Sequence, residues 1–321
     1  MKTGRISDII YKRSITNRLQ RQRAEYAPGE KNEDVVMFSG CYCGHFHDAG
    51  TRAVIYAANK AYAKGVRPRG FSLNIAVPER MSEKKVSDFI AQADSECAGL
   101  YGAFLGDVGV YVDDDLGDPG NVVANAVCVA ESFTGDAVLS KAEPGFDIVL
   151  TGCIALDAAS DIAYRKRDEL MTRLPADLLD RVTGQVQDLS VKNTAEAVFE
   201  FTARDKIFPV MIAAAEGGIL SALWDFGEET GLGLNANGRS IQMMQEIVEI
   251  CEFFDIDPYR MDSAGCLLTA VKDGELLCDY LLEHNIEAGV IGKLTDNNDR
   301  VILMDEEYRY LEPYRGGRVT V

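Results

Sequence analysis

The segment Cys41-Tyr-Cys-Gly-His-Phe-His47 holds two of the chain's eight cysteines and two of its three histidines. Thiolate and imidazole are natural ligands for zinc and other borderline metals. The spacing Cys-x-Cys-x-His-x-His strains closure around one tetrahedral ion. The metal reading is therefore a partial site of Cys41, Cys43, His45 and His47 completed by Asp34 or Asp107. A Cys–His pair can instead supply nucleophile and base, and the plain alternative is an exposed loop whose thiols do nothing. A second stretch with chemical potential is Met211–Leu234: a small-residue strand, the turn Glu216-Gly217-Gly218, then a helix ending at Gly231. Two glycines opening a helix let an anion approach outward N–H groups of partial positive charge. The stretch is either a seat for phosphate or carboxylate, or a tight turn with nothing bound.

Strands alternating with helices must position both stretches. The sequence predicts a strand over 34–38, a loop over 39–50 and a helix over 53–64 closed by Gly65. A strand over 71–77 and a helix capped by Ser82 follow. Residues 101–112 and 121–130 read as a β-pair around the acidic turn 113–120, a solvated hairpin rather than a calcium loop. The polar segment near 131–146 is the expected boundary between units 1–135 and 145–321. Beyond it come a strand over 147–151, helices from about 155 and over 194–202, and then the glycine stretch. A helix near 240–254, a strand over 266–271, a helix over 275–284 and a strand over 288–291 follow, with a final β-pair around Asp296-Asn-Asn-Asp299. In the glycine-stretch helix, Ile219, Leu220, Leu223 and Phe226 recur at helical spacing and face a core. Trp224, Met243 and Met244 are expected to pack, and His284 to sit at a helix end. The fold class is α/β with an α+β second half.

With 321 residues, 47% hydrophobic and 26% charged, the chain is long enough to bury sizeable cores. A formal net charge of −18 argues against a nucleic-acid surface or an anionic membrane. Residues 1–25 carry seven Lys or Arg against Asp8 and Glu25, but no signal-like apolar segment follows. No run approaches the ~18 apolar residues that span a bilayer. Scattered cysteines fit reduced thiols, and a cytoplasmic location is expected.

Several motifs, in their order, resemble the aminoimidazole ribonucleotide (AIR) synthase, or PurM-like, superfamily. That superfamily includes selenophosphate synthetases, thiamine-phosphate kinases and a hydrogenase maturation factor that dehydrates a thiocarbamate. The matching segments are Ala58-Asn59 with Gly65-Val-Arg-Pro68, Phe104-Leu-Gly-Asp107, and Pro144-Gly-Phe-Asp-Ile-Val-Leu-Thr-Gly152. Glu216-Gly-Gly218 with Ala222-Leu-Trp-Asp-Phe-Gly-Glu228, Asp257-Pro-Tyr-Arg-Met-Asp-Ser-Ala-Gly265 and Val290-Ile-Gly-Lys-Leu-Thr-Asp-Asn-Asn-Asp-Arg300 complete the set. The resemblance implies a two-domain chain, a homodimer whose N-terminal sheets pair into a shared β-barrel, and a site between domains. It implies ATP, magnesium and phosphoryl transfer to a small molecule. Asp34, Asn59, Gly106 and Asp107 would stand on the metal–phosphate side, with Asp107 and Lys60 as catalytic candidates and Glu216, Gly217 and Gly218 as nucleotide contacts.

The chain also departs from that pattern. Lys60 stands where the family has an aspartate after asparagine, and the Cys41 region replaces a Thr-Asp pair. Ala213 and Ala215 occupy the Asp and Thr places ahead of the glycines. The first cysteine is Cys41 and the sequence ends Gly316-Gly-Arg-Val-Thr-Val321, so neither the selenophosphate nor the thiocarbamate activity is expected. Two readings remain open: an ATP-dependent enzyme with Lys60 on phosphate, or a repurposed member that no longer uses ATP. The latter would act as an accessory or binding subunit, alone or with a second kind of subunit, or through the Cys41–His47 segment.

Overall fold

The computed structural model describes Ile9 and residues 36–44, 48–113, 116, 121–132, 138–139, 142–184, 186–203 and 207–316. The basic arm, Asp34, His45, His47 and most of the acidic turn lie outside them. The first half comprises β1 (Val36–Gly44), α1 (Ala49–Tyr62), β2 (Val66–Val77), α2 (Glu83–Tyr101), β3 (Phe104–Val112) and β4 (Val122–Ser132). The strands form one sheet in the order β1-β4-β2-β3. Its inner face buries Phe71, Leu73 and Ile75 of β2 and Ala124, Ala126 and Cys128 of β4 in a core shared with the alanine-rich α1. The helix rests directly on β1: a Cβ at Gly40 would stand 2.3 Å from the Ala53 carbonyl. Ser82 caps α2 by accepting from the Lys85 N–H, and Gly102 closes it in the left-handed conformation.

The second half adds β5 (Val138–Leu139), β6 (Asp147–Thr151), α3 (Leu156–Arg165), α4 (Arg167–Leu170), α5 (Ala176–Thr183), α6 (Lys192–Ala203), β7 (Ile207–Phe208) and β8 (Met211–Ala213). Then follow α7 (Gly218–Thr230), β9 (Gly233–Asn237), α8 (Gln245–Phe254), β10 (Leu267–Val271), α9 (Gly274–Glu283), β11 (Ala288–Thr295), β12 (Arg300–Met304) and β13 (Glu307–Tyr310). Seven strands build a sheet in the order β13-β12-β9-β11-β6-β10-β8, while β5 and β7 pair separately. Both faces of the large sheet are covered, which is why β6 and β10 are buried along their whole length. Ile148, Leu150, Leu268 and Ala270 pack under Ile219, Leu223 and Phe226 of α7. Val149, Leu267 and Val271 join the core that continues through α3, α5 and α6 to the first half.

Three expectations are corrected. Residues 39–44 are strand, not loop: Tyr42 turns inward, and Cys41 and Cys43 share the exposed face. The β3–β4 hairpin does not form, because β2 lies between them, parallel to β3 and antiparallel to β4. The pair around Asp296–Asp299 is likewise split by β9. In both places the turn residues mark a true reversal of direction, but a strand from elsewhere in the chain takes the inner position. Among the described residues, no helix is long and apolar enough to cross a membrane, and none of the eight cysteines is paired.

Candidate functional site between the halves

A groove of 460 Å³ runs between β1 and the end of α1 on one side and β8 and the start of α7 on the other. It brings Ser39, Cys41 and Lys60 to face Ala213, Ala215, Glu216 and Ser221. The two stretches singled out by their chemistry therefore meet, although 175 residues separate Cys41 from Glu216 (216 − 41). Lys60 projects from the last turn of α1, and its ammonium donates to the Ser39 carbonyl at 2.8 Å. Lys64, one turn on, is held by Glu229. Desolvation by the groove wall and then the Glu216 carboxylate raise the Cys41 thiol above its usual range, with Lys60 and an Asn125 hydrogen bond pulling the other way. A thiol kept protonated is a poor nucleophile. Replacing Glu216 with Gln is expected to speed iodoacetamide labelling of Cys41 at pH 8 by roughly two- to fivefold. Mass spectrometry of the Cys41 peptide reads the rate, and no change would remove Glu216 from the thiol's environment.

The residues expected on the phosphate side are dispersed. Asn59 is buried: its Nδ2 donates to the Leu189 carbonyl at 2.7 Å, and its Oδ1 accepts from the Val191 N–H at 3.0 Å. It clamps the halves together through these two bonds. Asp107 and Gly106 lie on β3, the edge strand opposite β1. Ser39, Val127, Ser72 and Asp107 form one cross-strand row, which puts Asp107 about 14 Å from Ser39 at the usual strand spacing. Cys43 exchanges weak hydrogen bonds with the Asn121 amide.

The helix-opening glycines are also occupied from within. The Gly217 N–H donates to Asp262 Oδ1 at 3.1 Å, and the Gly218 N–H to the Ala215 carbonyl. A carboxylate of the chain itself, Asp262 of the Asp257–Gly265 motif, thus stands at this turn. Gly218 has φ +70°, and a Cβ there would stand 2.5 Å from the Tyr259 carbonyl, so only glycine admits that motif so closely.

A polar network missed at the sequence level pins this geometry. Arg52, fully buried on α1, donates through Nε to Asp48 at 2.8 Å, to a carboxylate oxygen of Asp157, and to Ser160 Oγ at 2.8 Å. Tyr56 donates to Asp157 at 2.6 Å and Tyr42 to Asp161 at 2.7 Å. Asp157, Ser160 and Asp161 belong to α3, so this buried cluster ties β1 and α1 to the second half. An arginine in an alanine-rich helix, with aspartates at i−4 and more than a hundred residues away, leaves no local pattern to read.

Magnesium needs several oxygen ligands, mainly carboxylates and phosphates. Among the described residues, no three His, Cys, Asp or Glu side chains stand close enough to hold an ion. With Lys60 on one wall and Asn59 turned away, the described groove does not fit a chain-bound magnesium. Cys41 and Cys43 stand on one face of β1, and the rest of the proposed zinc set, His45 and His47, lies outside the described residues.

No protein-family model matches the chain. It is 21% identical over 264 residues to a Methanocaldococcus jannaschii protein named for hydrogenase expression/formation, covering 80% of this chain and 73% of that one. Carbamoyl dehydratase HypE of Rhizobium leguminosarum is 22% identical over 279 residues, 84% and 73% of the two chains. Among solved structures, E. coli HypE superposes with a TM-score of 0.68 at 15% identity over 91% and 92% of the chains. HypE in complex with ATP gives 0.66 at 17% over 97% and 96%. Thiamine-monophosphate kinase from Aquifex aeolicus gives 0.60 at 12% over 88% and 92%. At such identities the agreement speaks for the fold, and the coverage shows that it extends across both halves. The chain therefore has the fold of HypE and thiamine-monophosphate kinase, the PurM-like fold.

Proposed function

We propose that the groove binds a phosphorylated small molecule, a nucleotide such as ATP, and that the chain is an ATP-dependent phosphoryl-transfer enzyme acting on a small molecule. The observation that carries this reading is the Lys60 ammonium, anchored on Ser39 within the groove and facing the Glu216 turn. Solved neighbours that include an ATP complex and a kinase support it. Lys60 meets the phosphates as a point charge, and Glu216 turns the like-charged end of the ligand toward the lysine side. Units 1–135 and 145–321 act as the two lobes. A homodimer forms through the uncovered face of the first sheet, where Met37 and Tyr111 are 68% and 63% exposed. In that dimer the Asp107 rows of both protomers line one interior, so Asp107 acts from there. A cytoplasmic setting fits the eight unpaired thiols.

A second reading is favoured by Ala213 and Ala215 and by the lack of an acidic cluster among the described residues. In it the chain is a binding or accessory subunit that holds ligand or a second kind of subunit without turning ATP over. Calorimetric titration with ATP, once with excess Mg²⁺ and once with EDTA, tests the proposal, followed by a search for ADP release. Binding in both buffers is expected, and release of ADP with a small-molecule acceptor selects the enzyme over the accessory reading. No heat at millimolar ATP in either buffer would remove the nucleotide reading altogether.

A further inference from the structure

A second cavity, of 250 Å³, lies at the same turn of α7 but beneath the C-terminal strap, residues 309–316. The strap closes down on the turn: a Cβ at Gly217 would stand 2.6 Å from the Tyr314 ring. Leu220, Ile302 and Met304 line the cavity with apolar surface, and Arg260, Arg309 and Arg315 bring three guanidinium groups to it against the two carboxylates of Asp257 and Glu312. Ser221, in the first turns of the 13-residue α7, also lines it. Ser221 is only 5% exposed, and its Oγ has no hydrogen-bond partner. A buried hydroxyl left unpaired costs about 1–3 kcal/mol, and a ligand that accepts from it removes that cost.

The arginines are available to such a ligand. Arg260 faces Asp257 at 3.4 Å, Arg309 faces Asp305 at 4.0 Å and Arg315 faces Glu312 at 2.7 Å, each pair largely open to solvent. Exposed pairs of this kind are worth little and exchange readily for a better anion. Three guanidinium groups and an unpaired donor beside an apolar lining select an oxyanion carried on a small apolar body. The volume falls below the ~300 Å³ usual for drug-sized ligands and excludes a whole nucleotide.

We propose that this cavity is a binding site for a small organic anion, a carboxylate or phosphate monoester with an apolar body, separate from the nucleotide groove and touching it only through Ser221. The oxyanion lies toward Ser221 and the arginines, and the apolar body lies on Leu220, Ile302 and Met304. Benzoate, phenyl phosphate and inorganic phosphate serve as calorimetric probes of the full chain. At least one of the two aromatic anions is expected to bind in the millimolar range or tighter, more tightly than inorganic phosphate, and the better of the two names the headgroup. Ser221→Ala and Arg309→Ala are each expected to weaken that binding at least fivefold, while Lys60→Ala leaves it unchanged. Arg309 lies on the exposed edge strand β13, so that variant keeps the fold, as circular dichroism would verify. Three outcomes overturn the proposal: no heat from any probe at about 20 mM, far above a millimolar Kd; undiminished binding by both cavity variants; or loss of binding in Lys60→Ala, which would put the probe in the groove. Failure of ATP to bind leaves this site untouched, because none of its tests uses a nucleotide.

Discussion

Lys60→Met is expected to weaken ATP binding by at least tenfold without changing the melting temperature of the free protein by more than a degree or two. The side chain is exposed and donates to a backbone carbonyl, so little folding energy depends on it. Its charge matters more to the ligand. A unit charge 4 Å from a phosphate oxygen contributes about 1 kcal/mol in bulk water and about 4 kcal/mol in the intermediate dielectric of a groove. Tenfold in Kd corresponds to about 1.4 kcal/mol, within that range. Lys60→Asp makes the contrast sharper. It puts a third carboxylate on a groove already lined by Glu216 and Asp225, so ATP binding should vanish in EDTA and return with Mg²⁺. Titrations of the three proteins with and without Mg²⁺ read this directly. Equal affinity in wild type and Lys60→Met would take the phosphates out of this groove.

The sequence carried the element types well wherever punctuation and periodicity agreed. Gly231 closes α7 and Ser82 caps α2, as their residue types predict. The strand over 147–151 was legible as a strand, while its burial on both faces is a finding of the structure. What sequence reading could not supply was adjacency. Strands β2 and β9 each slip between two strands that turn residues had seemed to join, because pairing partners are set by long-range edges and not by the turn. The candidate site was legible in the same partial way. Cys41, Lys60 and Glu216 were all visible as unusual residues and do meet in the groove. Asn59 and the Gly217–Gly218 turn looked equally functional, and here they hydrogen-bond to Leu189, Val191, Asp262 and Ala215. An amide or a glycine has the same identity whether it serves a ligand or a neighbouring backbone, and only its hydrogen-bond partners separate the two roles.

The largest stability effect is expected at a residue that the family pattern does not mark. Arg52→Met should cost about 3–5 kcal/mol, the usual penalty for removing one partner from a buried ion pair. That corresponds to a fall in melting temperature of roughly 6–20 °C, by the scaling for domains of comparable size. Methionine keeps much of the volume, so the loss comes chiefly from charge. Asp48 and Asp157 are 2% and 1% exposed and lose a cation that each now contacts. Two carboxylates would then be buried without the cation that offsets their desolvation. Arg52→Lys keeps the charge and should recover part of the loss in melting temperature seen in Arg52→Met. An Arg52→Lys protein as unstable as Arg52→Met would assign the cost to lost packing around Tyr42, whose ring lies 5.5 Å from the guanidinium, and not to orphaned charge. Because Asp157 and Ser160 stand on α3 while Arg52 stands on α1, the same variant loosens the joint that sets the groove. Its ATP affinity should fall along with its stability, whereas Lys60→Met loses affinity alone.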